Sequence, residues 1–89
     1  MSRFALPHYS EMAMDVVAVK PLPSFELDLS YADGSQRRFD MKPLLAVKPW
    51  NRISALSLFT QVKVAYGTVM WPGDIDIAPE TLLLDSVLL

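Results

Sequence analysis

Hydrophobic and polar residues alternate most regularly in "SFELDLSYA". Phe25, Leu27, Leu29 and Tyr31 share one side, and Glu26, Asp28 and Ser30 share the other. A two-residue period of this kind marks an antiparallel strand with one face buried and one in water. Upstream, "MDVVAVKP" is a β-branched run closed by Pro21, which predicts a first strand. Downstream, "ADGSQRRFDM" supplies a turn and a return strand. Directly opposed residues share a face, so Phe39 must oppose an odd-numbered core residue of the preceding strand. A two-residue loop would set Phe39 against Asp28. A loop of Ala32, Asp33 and Gly34 sets Phe39 against Leu27 and Arg38 against Asp28, with Gly34 in the left-handed position such loops require. The three-residue loop is therefore expected. "VKVAYGTVMWP" has two β-rich halves around Tyr66 and Gly67, which predicts a second hairpin.

Helical signals fall between and after the hairpins. In "DMKPLLAVKPWN", Asp40 can cap a short turn running to Leu45, with Pro43 tolerated in its first turn. "NRISALSLFTQ" places Ile53, Leu56 and Phe59 at spacing three, which gives one apolar helical face. Residues 79–88, "PETLLLDSVL", open with Pro79 in the favoured first helical position and Glu80 in the positive-dipole turn, so a C-terminal helix is expected. Asp76 is placed to bond backbone amides near that helix start, in the manner of a cap. The order predicts an α+β fold: a small antiparallel sheet built from two hairpins, short helical segments between them, and a C-terminal helix packed on the sheet. Residues 1–89 are expected to form a single domain, with residues 1–12 as a loose lead-in.

Composition narrows the chemistry. Eighty-nine residues hold one core, and the absence of cysteine excludes disulfides and thiolate metal sites. The eight Lys and Arg residues are dispersed and the net charge is −2, so direct nucleic-acid binding is not expected. No apolar run approaches the ~20 residues needed to span a bilayer, and the first 15 residues lack the apolar stretch of a signal peptide. A cytoplasmic protein is expected.

Each candidate site has a plainer structural reading beside it. Asp74, Asp76 and Glu80 form D-x-D-x3-E, a set of hard oxygen ligands for Mg2+ or Ca2+. The alternation of Asp74 and Asp76 with Ile75 and Ile77 instead marks the polar side of a short extended segment, and that reading is preferred. His8 is the only histidine, and its neighbours offer no preorganised partner. No catalytic residue and no cofactor are assigned, and the protein is not expected to be an enzyme. Trp71, at a strand end, is expected to close the core, whereas Trp50, between Pro49 and Asn51, is a candidate partner contact. Leu82, Leu83 and Leu84 are consecutive, so one helix face cannot hold all three. With Val87 and Leu88, Leu83 and Leu84 are the other candidate partner-binding residues, for self-association or for a small protein partner.

Three segments, "LDLSYADGSQRRFDMKPLL", "ALSLFTQVKVAYGTVMWP" and "DIAPETL", together resemble a family of small bacterial proteins known as a domain of unknown function, DUF2442. Its members share a strand, a DG turn and a return strand ending in Asp before a "pLL" turn. They close on the pattern W-P-x-x-x-D-[IL]-x-P-[ED]-T-L, which Trp71, Pro72, Asp76, Pro79, Glu80, Thr81 and Leu82 match here. The chain departs from that pattern at Gly73 and Asp74, where the family usually has Asn and Gly, and it extends further after Thr81 and Leu82. The resemblance implies a compact α+β module without catalytic residues. Some longer relatives carry a helix-turn-helix domain that these 89 residues do not contain. Members are often encoded beside another small protein, which implies an antitoxin-like or regulatory role in a two-gene pair.

Overall fold

The computed structural model describes residues 14–89. Seven strands form two antiparallel sheets, giving a mixed α+β fold that is mostly strand. The first sheet has the order β1–β2–β3–β7, from β1 (Val16–Pro21), β2 (Glu26–Tyr31), β3 (Gln36–Asp40) and β7 (Val87–Leu88). The second has the order β4–β5–β6, from β4 (Lys63–Ala65), β5 (Thr68–Trp71) and β6 (Ile75–Asp76). The two hairpins thus lie in separate sheets. The Val16 amide donates to the Gly67 carbonyl at 3.0 Å and ties the sheets together.

The first hairpin has the register that face matching requires, with Leu27 opposite Phe39 and Asp28 opposite Arg38. Its loop is Ala32, Asp33 and Gly34: the Gly34 amide bonds the Tyr31 carbonyl at 2.9 Å, and Gly34 has φ +91°. Asp33 accepts from the Ser35 amide at 2.9 Å and from its hydroxyl at 2.6 Å, and the hydroxyl bond holds the Asp33 carboxyl below its ordinary range. In β1 the pairing with β2 shifts between Val16 and Ala18, leaving Val17 as a bulged residue that is exposed. Phe25 departs from the alternation that predicts it as a strand residue. It turns at φ +63°, donates its amide to Leu22, and lays its half-buried ring 5.0 Å from Phe59.

The connection between the sheets is helical in short pieces, as its prolines dictate. Two 3-10 turns, Lys42–Leu44 and Trp50–Ile53, precede α1 (Leu56–Phe59). Asp40 accepts the Lys42 amide at 2.9 Å in a local turn, while the N-cap of the first of these is Met41, without the side-chain cap expected of Asp40. The single amphipathic helix expected over "NRISALSLFTQ" is instead broken at Ala55, which is extended with ψ 136°. The break rotates Leu56 out to solvent while Ile53 and Phe59 stay buried. Tyr66 and Gly67, both at positive φ (54° and 75°), close the second hairpin.

The C-terminal helix is shorter than its pattern predicts. The second α-helix, α2 (Pro79–Leu84), ends where the Asp85 amide bonds the Thr81 carbonyl, and Val87–Leu88 is a strand, not helix. The open edge of β3 offers unpaired backbone groups, and β-branched Val87 suits a strand. Arg37 fixes the exchange: its Nε donates to Ser86 Oγ at 2.6 Å and its Nη2 to the Ser86 carbonyl at 3.0 Å. Leu82 projects from α2 into the core, with Trp71, Phe59, Leu27, Leu29, Met41, Ile75, Ile77 and Val69. Trp71 is fully buried and its indole N–H meets the Phe59 carbonyl at 2.8 Å, so it closes the core as its position predicts.

Candidate interaction surface

The acidic corner is a tight turn between two strands. Pro72, Gly73 and Asp74 turn the chain from β5 into β6, with Gly73 at φ +93° and Asp74 at φ +61°. Asp74 therefore holds a left-handed backbone position, where the resembled pattern carries glycine. Asp76 is exposed on β6, and the capping role expected of its carboxylate is not present. The N-cap of α2 is Ala78, without a side-chain hydrogen bond. Pro79 removes one amide that would otherwise need a partner, and Glu80 faces the helix dipole in the first turn. Asp74, Asp76 and Glu80 do not converge: among the described residues no three His, Cys, Asp or Glu side chains gather as metal ligands. His8 lies outside the described residues.

Trp50 is not a free anchor. Its indole N–H donates to the Asp76 carbonyl at 2.9 Å and its half-buried ring packs against the core, so it braces the backbone of β6. Leu83 is likewise half-buried against the core. The other leucine-rich candidates have no such cover. Leu84 is 77% exposed, Val87 67%, Leu88 61% and Leu89 61%. Consecutive side chains of a strand point to opposite faces, so this apolar strip wraps the sheet edge rather than covering one side of it.

The strip borders a groove of about 470 Å³ lined by Met14, Asp15, Pro79, Glu80, Leu83 and Leu84. Its walls are mainly apolar, with the two carboxylates at its margin. Asp15 also packs on the tip of the second hairpin. A side chain at Gly67 would meet Asp15 Oδ1 at 2.6 Å and push it aside, on a backbone at φ +75° that favours glycine. Beside it, Tyr66 is 91% exposed. Sequence reasoning missed Tyr66, because its place at a hairpin turn was read only as punctuation. It also missed Arg37, whose partner Ser86 lies 49 residues away.

The outer face of the first sheet carries charge instead. Arg38 grips Asp28 through Nε and Nη2, which donate to its two carboxylate oxygens at 2.6 and 3.0 Å. That hydrogen bonding holds the Asp28 carboxyl below its ordinary range and raises Arg38. At Asp40, partial burial works against ionisation, but hydrogen bonds from the Lys42 amide and ammonium outweigh it and leave the carboxyl lowered. Burial raises the Tyr31 phenol, which has no hydrogen-bond partner among the described residues. These ion pairs are internal to the sheet face and leave it nearly neutral. The apolar strip and its groove are the surface that the fold leaves unexplained.

Among the described residues no helix is long and apolar enough to cross a membrane. The model of a family described as "Protein of unknown function (DUF2442)" matches residues 16–86, and the chain belongs to that family. No curated protein and no solved structure matches the chain.

Proposed function

We propose that this DUF2442 member is a small, non-enzymatic protein-interaction module that acts in the cytoplasm. Its contact surface is the C-terminal strip of Leu84, Val87, Leu88 and Leu89 together with the groove beside it. One observation carries the reading: four consecutive or near-consecutive apolar side chains stay exposed although a buried core is complete without them. An exposed contiguous apolar patch of this kind marks an interaction site. In its narrower form, drawn from the family resemblance, the module is the antitoxin-like or regulatory half of a two-gene pair.

The test uses the full chain as bait in quantitative capture from a native lysate, beside a Leu84→Glu, Val87→Lys double variant. Both substitutions fall on solvent-exposed side chains, so the variant should keep its melting temperature. A protein retained by the wild type and lost from the variant supports the proposal. The same proteins bound equally by both would refute it.

A further inference from the structure

Tyr66 and the groove beside Asp15 share one end of the molecule, and neither is explained by packing among the described residues. The turn over Tyr66 and Gly67 has positive φ at both residues, at 54° and 75°. Turns of this geometry favour Asn or Asp followed by Gly, because a bulky side chain in the left-handed region is strained. Tyr66 accepts that strain and is still 91% exposed, so the ring gains little from the described residues. The tip is also held rigidly. The Val16 amide bonds the Gly67 carbonyl at 3.0 Å, and Asp15 lies against Gly67. A stiff turn presenting an aromatic ring is the form of an interface anchor.

The groove has the complementary chemistry. Met14, Pro79, Leu83 and Leu84 supply apolar walls, and about 470 Å³ is ample for a phenol ring. Asp15 and Glu80 add carboxylates, which accept the hydrogen bond that a phenol O–H must donate once its ring is covered. Asp15 lines the groove and touches the tip, so the two features are neighbours on one surface. A two-fold axis through that surface sets each copy's tip over the other copy's groove, as a closed symmetric contact requires.

We propose that the occupant of the groove is a second copy of this chain, docked reciprocally with Tyr66 as the anchor. The inference rests on the reading of the groove as an interaction surface, and it names the partner.

Sedimentation velocity of the full chain over micromolar to millimolar concentration tests it. A concentration-dependent dimer is expected. Tyr66→Asn should weaken association by about thirtyfold or more, as loss of an aromatic anchor does. The same substitution should raise the monomer's melting temperature, because it relieves the turn. Leu84→Lys, which alters the groove and leaves the tip alone, should weaken association similarly. Mixing the two variants should recover part of the dimer signal, since one tip and one groove remain intact between them. A chain monomeric throughout would overturn the inference, as would a dimer indifferent to Tyr66→Asn. Neither result touches the proposed function, which fails only if the lysate capture is insensitive to the exposed strip.

Discussion

The first hairpin and the C-terminal segment put their apolar residues to opposite ends. In β2 and β3 every side chain has an assignment: Leu27, Leu29, Tyr31 and Phe39 enter the core, and Asp28 meets Arg38 on the wet face. In α2 and β7 only Leu82 is fully buried, and four apolar residues from Leu84 to Leu89 remain in solvent. The C-terminal segment is the more apolar of the two and the less buried, so burial depends on what faces each residue. The hairpin pairs along its full length, and its apolar side chains enter the shared core. The terminal strand meets one neighbour, over two register pairs. Segments with few buried contacts lie at the low-stability end of a fold, and interaction surfaces are drawn from that end.

Truncation separates the two regions most sharply. Trp71→Ala should cost about 3–5 kcal/mol, because it empties the core and removes one of the two hydrogen bonds on the Phe59 carbonyl. Leu88→Ala should stay within about 0.5 kcal/mol in the monomer. Chemical denaturation of both variants checks the contrast, and comparable losses would remove it.

Arg37→Ala comes next. It deletes the two bonds to Ser86 and should cost about 1–2 kcal/mol. The loss should be local: the Leu89 amide, which bonds the Gln36 carbonyl at 2.9 Å, should exchange with solvent faster while the β2–β3 amides keep their protection. Uniform loss of protection would show that β7 is integral to the sheet rather than appended to it.

Asp28→Asn should cost less, about 0.2–1 kcal/mol, since the pair is partly exposed and screened by water. Its pH dependence has a definite sign. The folded carboxyl lies below its ordinary value of 3.8, so the pair's contribution is fully present above that value. It is lost as pH falls through the lower folded value. The gap in melting temperature between wild type and Asp28→Asn should therefore narrow only below pH 3.8.

The smallest effects fall on the acidic corner, and they reverse what its spacing suggests. Asp76→Ala should change stability little, because its carboxylate caps nothing. Asp74→Ala should cost about 0.3 kcal/mol, since Asp tolerates its left-handed position slightly better than Ala, and Asp74→Gly should gain slightly. Thermal melts of the three variants decide it.

Much of the fold was legible in the sequence because much of it is local. The alternation of β2, the Gly34 loop, the Asp40–Lys42 turn and the turn at Tyr66 each follow from residues within a few positions of one another. The register of Leu27 against Phe39 followed from face matching across a short loop. Less of the candidate surface was legible. The leucine run announced Leu84, Val87 and Leu88, but Trp50 read as a contact when its N–H serves the Asp76 carbonyl 26 residues away. Met14 and Asp15 carry no signal of a groove until α2 is set beside them.

The sequence by itself determined the α+β class, the hairpin turns and the surplus of apolar residues at the C-terminus, because periodicity and turn chemistry act over a few residues. Only the tertiary structure decided that Val87–Leu88 is strand, that the hairpins divide between two sheets, and that Tyr66 and the groove share an end. Those outcomes depend on which distant backbone groups need partners. The open edge of β3, held to Ser86 by Arg37, draws in a segment whose local pattern favours helix.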